Sequence, residues 1–252
     1  MSPKAPRLPI LDVRDLNFVY GKRQALHKVN FVLNRGEFHA LLGPNGAGKS
    51  TLFSLISRLF ALQDGEILLN GNNLRQSPAQ ALRQIGMVFQ QSTLDLDLSV
   101  AQNLHYHAAL QGIPTQLRQQ RIELELQRLE MADRIDTRVR QLNGGHRRRV
   151  EIARALIHQP SLLLLDEATV GLDTRSRREI NRHVRRLCAE RGVTVLWATH
   201  LIEEIEAEDT VTLLHQGKVL ATASSAQIIR DSGEPDLVQA FESLTAPVGL
   251  FE

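Results

Sequence analysis

The sequence predicts an α/β fold: a mostly parallel central sheet, an N-terminal antiparallel β subdomain and an inserted α-helical subdomain. Three observations carry this expectation. Leu162 to Leu165 is an unbroken apolar run, the pattern of a strand buried on both faces within a parallel sheet. Phe38 to Leu42 is an apolar strand that ends at Gly43, and apolar residues then recur at helical spacing from Leu52 to Phe60. From about Val100 to Arg140 the pattern turns helical before strands resume. With 252 residues, 42% of them hydrophobic, the chain can bury the core of one large domain of this class.

The elements follow in order. Met1 to Pro9 is short, contains proline and lacks an apolar signal core, so residues 1–9 read as a frayed tail. Leu11, Val13, Val29, Phe31 and Leu33 alternate with polar positions, giving short strands between turns at Tyr20-Gly21 and Asn34-Arg35-Gly36. Asp64-Gly65 and Asn70-Gly71 are turn signals around a strand at Ile67–Leu69, and Ile85–Phe89 is another strand. Leu117–Arg134 is charge-rich with Ile122, Leu124, Leu126 and Leu129 apolar, within a helical subdomain at about 92–145. Gly144-Gly145 opens a helix through Leu156, stopped near Pro160. Thr174–Arg191 is a helix with Ile180, Val184 and Leu187 inward, and Val193–Trp197 is a strand. Val211–Leu214 and Val219–Ala221 form a late hairpin. The chain from about Thr222 reads as weakly structured, with a tail over 241–252.

Composition excludes several classes. A single cysteine, Cys188, excludes a disulfide framework, and a cytosolic chain is the simplest reading. It lies on a helix's apolar side, which predicts a structural role. The net charge of +2 is too mild to imply nucleic-acid binding. The basic helix from Arg175 to Arg186 reads better as a solvated face than as a nucleic-acid patch. The longest apolar runs fall far below the ~20 residues of a membrane span, so work at a membrane would need another subunit as anchor.

Gly43-Pro44-Asn45-Gly46-Ala47-Gly48-Lys49-Ser50 matches the Walker A phosphate loop in full, and its place between a strand and a helix supports the match. Its glycines let backbone N–H groups turn toward phosphate oxygens, aided by the helix dipole. Lys49 is expected to reach the β- and γ-phosphates of ATP, with Ser50 on Mg²⁺ and Thr51 closing the loop. Asp166 and Glu167 follow the buried strand. Pleat alternation would send one carboxylate to Mg²⁺ and the other to an attacking water. Asp166 suits the metal and Glu167 the water; taken alone, Glu167 also reads as a helix-start carboxylate.

In this order the motifs resemble those of the ATPase subunits of ABC transporters, over nearly the whole chain, with residues 10–240 as the ATPase domain on a P-loop NTPase core. Gln141-Leu142-Asn143-Gly144-Gly145-His146 is similar to the family's signature motif, usually Leu-Ser-Gly-Gly-Gln. Gln90 lies where the family has its Q-loop glutamine, Val170–Asp173 is similar to the D-loop, and His200 to the switch histidine. Tyr20 fits the aromatic position that stacks on adenine. The resemblance implies a homodimer or related heterodimer paired head to tail, each ATP lying between one phosphate loop and the partner's Asn143, Gly144, Gly145 and His146. It also implies membrane permease subunits, a peripheral place on the cytoplasmic face of the inner membrane, no nucleic acid, and catalytic roles for Glu167, His200 and Gln90, with Gln90 also on the metal. Each residue keeps an ordinary reading beside this one. Gly144-Gly145 could be a helix cap, Gln90 a strand-end polar residue, His200 a structural histidine and Tyr20 a core aromatic.

Three positions depart from the family pattern. Asn143 replaces the signature serine and keeps a donor and an acceptor. His146 replaces the glutamine and suggests a charge that varies near neutral pH. Ala168 replaces a proline. No catalytic atom is lost, so an active ATPase is expected. The segment from Ile85–Gln90 through Leu110-Gln111-Gly112, in which Leu94–Val100 and Asn103-Leu104 fit the pattern, resembles the drug- and polysaccharide-exporter branch, which implies export. Leu142–Leu156 and Val195–His200 also resemble a bacterial subgroup linked to alcohol oxidation by pyrroloquinoline-quinone enzymes. The alternatives are a soluble ABC ATPase in translation or DNA repair, or a non-hydrolysing binder; the first lacks its second domain or coiled-coil insertion here, and retention of Glu167 and His200 speaks against the second.

Overall fold

The computed structural model describes residues 9–246. The tail expected over residues 1–9 lies outside the described residues except for Pro9. Strands β1 (Pro9–Tyr20) and β2 (Arg23–Asn34) form a long hairpin. The expected short strands are thus two strands of 12 residues each. The alternation breaks because the hairpin is bulged: the register shifts between Val13 and Leu16, and Asp15 and Lys28 both take a φ of 45°. With β3 (Phe38–Leu42), helix α1 (Lys49–Ile56), β4 (Asp64–Leu69) and β5 (Asn72–Asn73) the chain has built one antiparallel sheet, ordered β2-β1-β4-β5, and begun a second.

The second sheet takes β6 (Ile85–Val88), β7 (Leu162–Asp166), β8 (Thr194–Thr199), β9 (Thr210–His215) and β10 (Lys218–Ser224), in the order β10-β9-β3-β8-β7-β6. All pairs are parallel except the edge strand β10 on β9. The pleat divides each strand between two cores. Leu163, Leu165, Val195 and Trp197 face one core with Val100, Leu104, Ile122, Val150 and Ile180. Leu162, Leu164, Leu196 and Ala198 face the other, with Leu11, Val13, Leu52 and Phe53. Both faces are covered, which is why β7 reads as an unbroken apolar run.

Helices cover the first core: α3 (Val100–Leu110), α4 (Thr115–Arg128), α5 (Gly144–Leu156) and α6 (Thr174–Arg191), with a short α2 (Pro78–Leu82) earlier. Ser99 and Gln102 form a reciprocal capping box at the start of α3. Asp173 caps α6 by accepting from the Ser176 N–H at 3.0 Å and its hydroxyl at 2.7 Å. Part of the basic face of α6 is answered by acids: Arg177 meets Glu203 at 2.8 Å and Arg185 meets Asp209 at 2.6 Å.

The chain after Thr222 corrects the sequence expectation. It continues β10 to Ser224 and then forms α7 (Ser225–Ser232) and α8 (Leu237–Thr245), so residues 241–245 of the expected tail are helical. Residues 247–252 lie outside the described residues. Ser224 and Asp236 cap these helices three residues ahead of Gln227 and Gln239, and Ile228, Leu237 and Ala240 are buried. The cap spacing was legible in the sequence; the short apolar stripes behind it masked the helices.

Cys188 lies buried on α6, and burial pushes its thiol up to about 12. The folded protein is expected to leave Cys188 unlabelled by an aqueous thiol reagent at pH 8 and to react fully in denaturant. Stoichiometric labelling of the native protein would refute a purely structural thiol.

Candidate functional site

Because β3, β6, β7 and β8 run parallel, their C-terminal ends open on one edge, the side where sheets of this class place ligands. A cavity of about 830 Å³ lies there. The segment Asn45–Thr51 forms its floor, and Tyr20, Gln90, Glu167 and His200 reach it from the ends of β1, β6, β7 and β8. The turn into α1 depends on Gly48. Its φ is 111°, and a Cβ there would stand 2.8 Å from a Leu26 methyl and 2.9 Å from the Ala25 carbonyl oxygen. No side chain caps α1, so its first-turn N–H groups suit an anion.

Lys49 is buried. Its ammonium donates to the carbonyls of Gly43 at 2.7 Å and Pro44 at 3.2 Å, and stands 3.2 Å from the Glu167 carboxylate. Glu167 collects three partners in all: Lys49, the Gln90 amide at 3.0 Å and the His200 Nδ1 at 3.3 Å. The two carboxylates separate by a means other than the expected pleat alternation. The strand ends at Asp166, and Glu167 turns away with a φ of 47° while its N–H donates to the Ala198 carbonyl at 2.9 Å. Burial raises the Asp166 pKa, and the neighbouring Glu167 adds to this; the Ser50 hydroxyl and Lys49 oppose it. Asp166 Oδ1 is buried with no hydrogen-bond partner. The Tyr20 ring stands edge-on to Phe18 at 4.9 Å and to Phe60 at 5.8 Å, and its hydroxyl lies 3.3 Å from Thr51 Oγ1.

Asn143, Gly145 and His146 line a different cavity, of about 390 Å³, together with Asp173, Ser176 and Glu179. One chain therefore does not bring them to the loop. Asn143 caps α5 by accepting the His146 N–H at 2.8 Å, which leaves its side-chain NH2 as a donor. Burial and the Arg149 and Arg134 cations lower the His146 pKa. This moves any change of charge on the imidazole toward lower pH. A Cβ at Gly145 would stand 2.6 Å from Ser176 Oγ. Gly145→Ala is expected to push α5 off α6 at a cost of about 1–3 kcal/mol, read as a lower melting temperature. An unchanged melt would show that the contact yields freely.

Sequence reasoning missed three buried charged residues around the site. Glu204 accepts from Thr169 Oγ1, from Trp197 Nε1 at 3.1 Å and from Thr199 Oγ1 at 2.6 Å, so it braces the segments that follow Glu167 and precede His200. Arg148 and Glu151 form a buried pair on α5. Their i, i+3 spacing was visible, but such pairs usually lie on a surface.

Residues 26–170, more than half of the chain, match the model of the ABC transporter family. The chain belongs to the ABC transporter family. Among relatives, the spermidine/putrescine import ATP-binding protein PotA of Haemophilus influenzae is 32% identical over 92% of this chain and 62% of PotA. The chain thus spans less than two thirds of that relative's length. The linearmycin resistance ATP-binding protein LnrL of Bacillus subtilis is 33% identical over 91% of this chain and 74% of LnrL. Among solved structures, CbiO1 of Clostridium perfringens, part of the ABC transporter complex CbiONQ, superposes with a TM-score of 0.81 at 30% identity, over 88% of this chain and 91% of CbiO1. The ABC fold accounts for both sheets, the antiparallel one at the N-terminus and the parallel-rich one behind the cavity.

Proposed function

We propose that this chain is the ATP-binding and ATP-hydrolysing motor subunit of an ABC transporter, coupling MgATP-driven dimerisation to substrate movement by separate membrane subunits in the export direction. The observation that carries the reading is the meeting of Lys49, Gln90 and His200 on one carboxylate, Glu167, at the mouth of the loop cavity. Gly43 to Thr51 cradles the phosphates of ATP, Lys49 leaves the Gly43 and Pro44 carbonyls for the β- and γ-phosphates, and Tyr20 offers its exposed face to adenine. Ser50, Gln90 and Asp166 would hold Mg²⁺. The orphaned Asp166 oxygen fits this role, as does a donor set of one carboxylate completed by phosphate oxygens. When bound, the ion neutralises phosphate charge. Glu167 takes the proton of the attacking water, Gln90 orients that water, and His200 donates to the γ-phosphate.

The signature residues Asn143, Gly144, Gly145 and His146 close over ATP from a second copy, a reading supported by their separate cavity. Permease subunits hold the dimer at the cytoplasmic face of the membrane; no helix among the described residues is long and apolar enough to cross one. LnrL is named for linearmycin resistance and PotA for import, so direction rests on the exporter-like stretch from Ile85 to Gly112. The acidic partners of the α6 arginines support the absence of nucleic acid. The test is ATP hydrolysis by the chain assembled with its co-purifying membrane protein in sealed vesicles. Turnover with outward transport is expected, whereas ATP binding without turnover overturns the assignment.

A further inference from the structure

Gln90 follows the last residue of β6 by two positions, and its backbone is held by α5, the helix that begins at the signature segment. Arg148 spreads its guanidinium over two successive carbonyls: Nη1 donates to Phe89 O at 2.6 Å and Nη2 to Gln90 O at 2.8 Å. Glu151, one turn on, fixes that fork at 2.9 Å through one oxygen and accepts the Thr93 N–H at 2.9 Å through the other. Arg154 donates to the Thr93 carbonyl at 2.8 Å. Residues 89–93 are therefore gripped at both ends by three charged side chains of α5. Arg148 and Glu151 are almost wholly buried, with side-chain exposures of 8% and 2%. Burying such a pair is costly unless its geometry and remaining hydrogen bonds are satisfied, and here they are satisfied by the backbone of the Gln90 segment.

We propose that Arg148, oriented by Glu151, is the positioning residue for Gln90, and that it ties the signature end of α5 to the Gln90–Glu167 contact so that both move as one body. This rests on the catalytic reading of Gln90 and Glu167 given above. A shift of α5 when its N-terminus meets a partner's ATP reaches Gln90 through two hydrogen bonds, and reaches Glu167 through the 3.0 Å bond from the Gln90 amide. The occupancy of one site is thereby felt at the other. An arginine suits the task because a planar fork can span two carbonyls, which the point charge of lysine cannot.

Arg148→Lys keeps a cation beside Glu151 and removes the fork. In the assembled transporter its kcat is expected to fall by about tenfold to a hundredfold, with KM for ATP within about threefold of wild type, as for a misplaced catalytic group. The same substitution made in a Gln90→Ala background is expected to cost nothing further, since the residue it positions is gone. A merely structural role would instead give losses that multiply in the double variant. Glu151→Gln, which keeps the Thr93 acceptor but loosens Arg148, supplies the same cycle should Arg148→Lys melt early. Wild-type kcat in a stably folded Arg148→Lys, or multiplying losses in either cycle, overturns the proposal. Absence of turnover in the wild-type assembly overturns the ATPase reading instead, so the two failures are distinguishable.

Discussion

Glu167→Gln is expected to bind ATP as the wild-type chain does and to hydrolyse it at least about a hundredfold more slowly, the loss that follows removal of a general base. The substitution scarcely changes volume, and its single amide oxygen keeps one of two contacts, that of Gln90 on Oε2 or that of His200 on Oε1. What disappears is the negative charge proposed to accept the proton of water. With turnover blocked, the ATP-bound dimer accumulates, so sedimentation in ATP and Mg²⁺ should show a species of twice the mass. A variant that stays monomeric under those conditions would contradict head-to-tail closure, and one that hydrolyses ATP at the wild-type rate would move the base elsewhere.

Lys49→Ala should cost affinity rather than turnover alone. The ammonium is buried and already placed on the loop carbonyls and Glu167. Its transfer to phosphate oxygens needs no new desolvation. Losing such charge-assisted hydrogen bonds costs about 1.5–3 kcal/mol, or on the order of ten- to a hundredfold in the dissociation constant for ATP. Titration with a fluorescent ATP analogue reads this directly, with circular dichroism as the control for folding. Equal affinity in the variant would remove Lys49 from the phosphate site.

The sequence made the sheet and the loop legible for a physical reason. Leu162 to Leu165 is apolar because both faces of β7 are covered, and Gly48 is glycine because neither a Cβ nor an ordinary φ fits there. The contents of the site were legible through motif order, which put Gln90, Glu167 and His200 on one list before any geometry joined them. What stayed hidden depends on long-range contact. Glu204 is four residues past His200 and gives no periodic signal, yet it binds Thr169, Trp197 and Thr199 at once. The final helices were hidden because α8 turns Leu237, Ala240 and Phe241 inward within nine residues, too short a stripe to establish a period. The bulges at Asp15 and Lys28 interrupted a period-two pattern that the hairpin itself survives.

The left-handed backbone of Glu167 carries a cost in stability. A non-glycine residue held there costs about 1–3 kcal/mol, and little but the chemistry of the site recommends glutamate over residues that tolerate the geometry. Stability and activity therefore pull this position in opposite directions. A library randomised at residue 167 and screened for heat resistance alone should enrich glycine and asparagine, while a screen for turnover should return glutamate; enrichment of valine or isoleucine by heat would show that the backbone relaxes.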